Sequence, residues 1–580
     1  MRRATRRQRS TYNLFHPFLG MDTTGFDFLS NDTAVYDMTN LVFVDSTDLS
    51  PEGIGYVEEV APYNTARLFR GYGAYDSTHY IISNNKGYVK LDTTTSQYDI
   101  LEQGSTDTIL SHAKFNNDLV MATSGRIMLY DGSTLTENPI MTNAGLSSTS
   151  CRAVSVYNNR MLYAGLNDNL DALLVSDLNN PTTADLTGDN ANDGFLIEID
   201  PQNSGGLVGI NVVRERGTNT EYVVLFKRNA VYLMKGSTET TVSVTKIYEG
   251  YGTYNNNTHA QVGSDVYFIN EQGLFSLNST IETGNMQVES IDTVFVNKYF
   301  DKVKESYDEV ELILSPTERE IWVSIPEQGK VKGMLVYAFD RKIIINSTPT
   351  NVPYWTYLAP YKFKGLHSFN NATFGFDSKG TLHRLRTGNL FNGEVPEWSL
   401  NFKDLTFQAP ERYKSIDFGN LMLKVARYPN VTVNWQWRGG FGTQSYMEEF
   451  LRLDPAEKLL RRLTRPETEE GRNALLASYN LPITEPSPAV GKYFYGWAKW
   501  GEARYASHEY PRIDLEYGNS HYGSDSYTSF KNNVVSFGLA GFGAGRVFSI
   551  NLNGEGSEKR PVRIVGLTLR IQYGQVVHHT

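Results

Sequence analysis

One cysteine, Cys151, serves the whole chain of 580 residues, which excludes an intrachain disulfide and any cysteine-rich zinc site. It reads as a buried small hydrophobe. No apolar run approaches the ~18 residues that would span a bilayer, and the arginine-rich start is not followed by a hydrophobic signal region. The chain is therefore expected to be soluble, made in a reducing compartment, with no membrane insertion of its own.

Catalytic signatures are equally scarce. The sequence has no His-Glu-x-x-His helix, no Gly-x-Ser-x-Gly elbow, no Gly-x-x-x-x-Gly-Lys-Ser loop and no Gly-x-Gly-x-x-Gly turn leading into a helix. Its ten histidines are scattered singly apart from His578-His579. "DNANDGFLIEID" (189–200) puts Asp189, Asp193, Gly194 and Asp200 at positions of a calcium loop, but Ala191 supplies no side-chain oxygen where one is needed. A turn rich in Asn and Asp is the better account. "GFGAGR" (541–546) runs into a strand, and reads as a flexible turn. No catalytic, cofactor or metal residues are assigned.

What is abundant is aromatic and turn-forming. With 36 Tyr, 29 Phe, 7 Trp and 49 Gly, the composition favours strands joined by tight turns. At 580 residues, more than one core is expected. The charge is mildly acidic, 54 Lys and Arg against 64 Asp and Glu, which argues against a broad surface for coating duplex DNA. The exception is "MRRATRRQR", where Arg2, Arg3, Arg6, Arg7 and Arg9 form a basic arm suited to an acidic partner or to phosphate, or simply to a solvated terminus.

Five stretches share one shape: "HYIISNNKGYVKLDTTT" (79–95), "NDLVMATSGRIMLYDGS" (117–133), "EYVVLFKRNAVYLMKGS" (221–237), "SDVYFINEQGLFSLNST" (264–280) and "ATFGFDSKGTLHRL" (372–385). Each is an apolar run, a polar turn and a second apolar run, which is a hairpin. Turns at Gly87 and Gly125 are 38 residues apart, and those at Asn229 and Gly273 are 44 apart, near the period of a four-stranded propeller blade. Further blade material is expected around Asn158 and Gly165, and in 309–326 with 333–344. A hairpin cannot bury both faces alone, whereas radially stacked blades cover one another. The pattern predicts an all-β chain with a propeller of about six blades over 61–400, with an irregular stack of sandwiches as the rival.

Around that domain the sequence predicts a basic arm with the first strands over 1–60, and a sandwich-like β unit over 401–580. At its end Val565, Leu567, Leu569, Ile571 and Tyr573 fall on one side at period two. Inside it, 445–482 predicts a helical insertion: Asp454 and Pro455 supply a cap, Pro466 opens a second helix, and Leu459, Leu460 and Leu463 make an apolar face. It reads as a packed lid or as a subunit contact. Aromatic strands such as "YFYGWAKWGEARY" (493–505) suit a sheet interior better than sugar stacking.

"CRAVSVYNNRMLYAG" (151–165), "VSDLNNPTTADL" (175–186), "YVVLFKRNAVYLMKGS" (222–237) and "GSDVYFINEQGLFSL" (263–277), in that order, resemble landmarks of the tail nozzle (tail tubular B-like) and tail-stabilisation proteins of short-tailed bacteriophages. The corresponding positions are Asn159-Arg160, Asn180-Pro181, Lys227-Arg228-Asn229 and Gln272-Gly273. The resemblance covers about 60–385, and the ending "RPVRIVGLTLRIQYG" is similar to the family's final sheet; the basic start and the segment 445–482 depart from it. It implies a structural virion protein assembled in the host cytoplasm into a hexameric ring below the portal and its adaptor. Double-stranded DNA would pass its lumen without sequence-specific contacts, and fibres or a tip would attach outside. The alternatives are a host-receptor or glycan-binding propeller and a tail-associated polysaccharide-degrading enzyme, which would need a carboxylate-lined groove.

Overall fold

The computed structural model describes residues 9–14, 21, 35–43, 49–50, 56–61, 68–203, 205–214, 220–279, 286–291, 296–315, 319–327, 330–339, 342–345, 348–351, 354–359, 361–369, 371–386, 390–391, 394–407, 409, 411–425, 430–438, 446–452, 531–538, 546–555 and 563–573. Backbone contacts divide the chain into two units: 57–340 with 357–386, and 1–56 with 341–356 and 387–580.

The first unit is a β-propeller. Five blades have four antiparallel strands each. They are Phe69–Ala74, His79–Asn84, Gly87–Asp92 and Gln97–Gln103; Ile109–Phe115, Asp118–Thr123, Ile127–Tyr130 and Leu135–Glu137; Cys151–Tyr157, Arg160–Leu166, Ala172–Val175 and Phe195–Glu198; Leu207–Arg214, Glu221–Lys227, Ala230–Lys235 and Ser243–Glu249; and His259–Val262, Asp265–Asn270, Gly273–Ser279 and Met286–Ser290. A sixth blade holds Leu312–Ser315, Glu320–Glu327 and Lys330–Ala338. The seventh holds Lys364–Phe369, Ala372–Phe376 and Leu382–Leu385. Its outer edge is completed by Tyr56–Ala61, from the far end of the propeller's own sequence, with Leu385 opposite Val57 and Leu382 opposite Ala61. Each innermost strand touches that of the next blade, and the seventh touches the first, so the ring closes.

Seven blades among the described residues are one more than the expected count of about six. The hairpins read from the sequence are the second and third strands of blades one, two, four, five and seven. Their apolar runs are nearly continuous, not alternating, because both faces are covered. In "YVVLFK", Leu225 joins a cluster with Leu162 and Leu173 of blade three, while Val224 and Phe226 join Val266 and Phe268 of blade five. Ile81 likewise meets Leu119 and Met121 of blade two, and Ile82 meets Phe376 and Leu382 of blade seven. At about 25 cal/mol per Å² of apolar area, these blade-to-blade clusters are the propeller's main stabilising term.

Two places show why particular residues are needed. Asn158 and Asn159 both have left-handed backbone, φ 47° and 57°, as a two-residue hairpin turn demands. Gly71 lies so close to blade two that a Cβ there would sit 2.3 Å from the Ile109 carbonyl oxygen.

Among the described residues the second unit contains the short hairpin of Lys342–Ile345 with Thr348–Asn351 and two large sheets. In one, Arg563–Tyr573 pairs with Arg9–Asn13 and with Lys414–Val425, which pairs on with Lys531–Gly538. In the other, Val35–Thr39, Glu397–Phe402, Val547–Glu555, Asn430–Arg438 and Tyr446–Arg452 follow in that order. Leu567, Leu569 and Ile571 are buried at period two, as the alternation requires. Phe407 ties the sheets together: its ring meets Tyr12 edge-on at 5.2 Å and Phe548 at 6.2 Å.

Two expectations differ from this arrangement. The boundaries 1–60, 61–400 and 401–580 do not coincide with the units, because the strand Arg9–Asn13 and the segments 341–356 and 387–400 belong with the carboxyl-terminal sheets. Tyr446–Arg452, expected at the start of the helical insertion, is a strand opposite Asn430–Gln436. Pairing with a partner strand overrides its local helical spacing. The rest of that insertion, 453–482, and the aromatic stretch 493–505 lie outside the described residues.

Candidate functional site

Innermost propeller strands all run in the same direction, so their first residues gather at one end of the axis. There a cavity of about 640 Å³ opens, and every blade contributes to its wall. Arg70 and Tyr72 come from blade one, Ser111 and His112 from blade two, Arg152 from blade three and Val208 from blade four. The loop 254–257 (Tyr-Asn-Asn-Asn) precedes blade five, Glu309 and Glu311 precede blade six, and Lys364 opens blade seven. Arg228 reaches the same end from the Lys227-Arg228-Asn229 turn.

Asn256 reaches across the axis: its Nδ2 donates to Ser111 Oγ at 3.0 Å, and its Oδ1 accepts from the Ile210 N–H at 3.2 Å. The Tyr254 and Tyr307 rings stack at 4.6 Å, and the Arg228 guanidinium lies 5.4 Å from the Tyr307 ring. Tyr254 is 7 % exposed, and its hydroxyl has no hydrogen-bond partner among the described residues.

The charges are unevenly matched. Lys364 Nζ pairs with Glu309. Glu311 accepts N–H bonds from Gly365 and Leu366, both at 2.9 Å, and burial raises its pKa. Arg70 donates to the Thr106 carbonyl and Arg152 to the Gly205 carbonyl at 3.3 Å, neither of which carries charge. Burial and, after it, the nearby Arg228 lower the pKa of Arg152. Beneath the wall, Tyr72 lies 5.0 Å from both His112 and His367. Burial pulls both histidines down to about 4, leaving them neutral at pH 7.

Of the sequence-assigned arm, Arg2, Arg3, Arg6 and Arg7 lie outside the described residues, and Arg9 begins the strand paired with Gln572. The cavity's own cations were missed. Arg70, Arg152 and Lys364 stand singly at strand starts, and only the ring topology brings them together. Arg228 was visible in the quoted turn.

The loop considered for calcium is occupied from within. Arg160 Nη1 donates to the carbonyls of Ser176 (2.8 Å), Asp193 (2.8 Å) and Asn192 (3.3 Å), and Nη2 donates to Ala191 (2.6 Å). A guanidinium thus sits on loop carbonyls that a cation would use. Among the described residues no group of three or more His, Cys, Asp and Glu is placed to hold a metal.

No family model and no curated protein matches the chain. Solved propellers are similar to it at low identity. YCF48 bound to D1 peptide is 11 % identical with a TM-score of 0.35, over 57 % of this chain and 94 % of that one. The β-propeller domain of Cps50 (Swd1) from Myceliophteria thermophila is 10 % identical with a TM-score of 0.35, over 57 % and 98 %. PorZ of the type-IX secretion system of Porphyromonas gingivalis is 11 % identical with a TM-score of 0.35, over 60 % of this chain and 43 % of its own.

Proposed function

We propose that the chain is a tail nozzle subunit of a short-tailed bacteriophage, a structural protein without catalytic residues. It would assemble as a hexameric ring on the portal-adaptor and carry fibre or tip proteins. The observation that carries this reading is the ordered set of landmark phrases, which fall on the propeller's internal fastenings. Arg160 clamps four carbonyls, as above. The Pro181 carbonyl accepts from Tyr163 Oη at 2.5 Å and from Asn138 Nδ2 at 3.1 Å. Buried Lys227 places its Nζ 2.6 Å from Asp171 Oδ1, 2.8 Å from the Asp200 carbonyl and 3.0 Å from the Asn203 carbonyl, using all three of its protons. Fastenings of this kind suit a part that bears load.

The duplex would run through the lumen of the ring and not along a propeller axis. Asn256 bridges that axis, whereas the major groove alone of a duplex is about 12 Å wide. The chain's mildly acidic balance, 54 Lys and Arg against 64 Asp and Glu, suits a conduit that does not hold the duplex, since each Lys or Arg contact to phosphate adds affinity.

Negative-stain imaging and mass photometry of the full chain mixed with its adaptor test the reading. A sixfold ring seated on the adaptor is expected. A chain that stays monomeric and unbound in the adaptor's presence overturns it.

A further inference from the structure

The axial cavity has the features of a ligand site that a mechanical part does not need. It is of the size of small-molecule sites, about 300–1,000 Å³, and its wall mixes apolar, amide and charged groups. Its four cations face two carboxylates, and both carboxylates are already engaged, Glu309 by Lys364 and Glu311 by two backbone N–H groups. Arg70, Arg152 and Arg228 have no carboxylate partner among the described residues. Holding three guanidinium groups at one mouth is unfavourable unless an anion joins them; the pKa of Arg152 is lowered first by burial and then by Arg228, with Asp171, itself bonded to Lys227, acting in the opposite sense. Around them stand the side chains of Asn255 and Asn257 and the unpartnered hydroxyl of Tyr254.

We propose that this cavity binds a sugar bearing a carboxylate, with Arg152 and Arg228 gripping the oxyanion and the 254–257 loop meeting the ring hydroxyls. Guanidinium forks match a planar carboxylate in two-point contact. Amides and phenols, which donate and accept, suit neutral hydroxyls. The proposal goes beyond the nozzle reading and does not depend on assembly, because all seven blades that line the cavity belong to one chain.

Calorimetric titration of the full-length protein with glucuronate, glucose and inorganic phosphate tests it. Glucuronate is expected to bind at least ten-fold more tightly than either, and more weakly as salt is raised. The double variant Arg152→Gln/Arg228→Gln should lose roughly ten- to a hundred-fold in affinity, the loss expected for one charge-assisted two-point contact. Arg214→Gln, whose partner Glu221 is at 2.7 Å on the fourth blade, should leave binding unchanged. Equal affinity for glucuronate and glucose, or binding unaffected by the double variant, overturns the proposal. Phosphate bound as well as glucuronate overturns the sugar assignment. A circular-dichroism melt of the double variant that matches the parent keeps the comparison one of binding and not of folding.

Discussion

Single buried groups decide how the propeller responds to its surroundings. His259 stacks on Phe226 at 4.9 Å, has Nδ1 3.2 Å from Asn211 Nδ2, and leaves Nε2 without a partner among the described residues. Burial lowers its pKa to about 4, as it does for His112 and His367. A histidine depressed in the folded state takes up a proton more readily when unfolded, so stability is full above about pH 6.5 and falls as the pH drops toward 4. By pH 5 each such group costs on the order of 2 kcal/mol. His259→Phe should therefore flatten the fall in urea midpoint between pH 7 and pH 5, and an unchanged slope would show that His259 does not titrate as a buried group. Cys151 is buried, and burial raises its thiol pKa. It is expected to resist a thiol reagent at pH 8 until denaturant is added.

Arg160 sets a second test at this scale. Replacement by Lys keeps the charge but not the fork, and leaves buried carbonyls unsatisfied at about 1–3 kcal/mol each. Arg160→Lys should lower the propeller's stability by roughly 2–3 kcal/mol in urea titration followed by circular dichroism. A loss within 0.5 kcal/mol, the ordinary range for a surface change, would remove the clamp from the argument.

Among elements, hairpins were legible because their turns carry their own chemistry. Asn158-Asn159 and Gly87 announce the positive φ that the connection needs, and the apolar runs beside them announce burial. The innermost strands were less legible. Phe69–Ala74 is written Phe-Arg-Gly-Tyr-Gly-Ala, with glycines where blade two approaches and an arginine where the cavity opens, so it reads as a loop until the ring is known. Tyr446–Arg452 failed for the opposite reason: Tyr446, Met447, Phe450 and Leu451 satisfy a helical spacing, while the strand that overrides it is its hairpin neighbour Asn430–Arg438. Material of all seven blades stands in the sequence, but the spacing between turns is uneven, 38 residues from Gly87 to Gly125 and 44 from Asn229 to Gly273, so it fixes the number of blades only approximately. Gly87 supplies the test at this scale. Its φ is 140°, and a Cβ would stand 2.0 Å from the Glu102 carbonyl oxygen. Gly87→Ala should destabilise the propeller by at least about 2 kcal/mol, and a neutral result in the same urea titration would refute the placement of that turn.

At the scale of the whole molecule, the propeller interrupts the other unit, whose strands come from both ends of the chain. Arg9–Asn13 lies along Arg563–Tyr573, with Tyr12 packed on Phe407. Residues 1–8 lie outside the described residues, and 9–13 are part of that pairing. Two amino-terminal deletions therefore separate electrostatics from architecture. Removal of 1–8 takes away Arg2, Arg3, Arg6 and Arg7 and is expected to impair docking while leaving thermal unfolding unchanged. Removal of 1–13 also strips a strand from its sheet and uncovers Phe407. Two cores imply two calorimetric transitions. The longer deletion should lower one of them, and Gly87→Ala together with acid should lower the other. If both deletions leave both transitions in place, the pairing of the two chain ends contributes nothing to stability; if either deletion shifts the transition that Gly87→Ala shifts, the two units do not unfold separately.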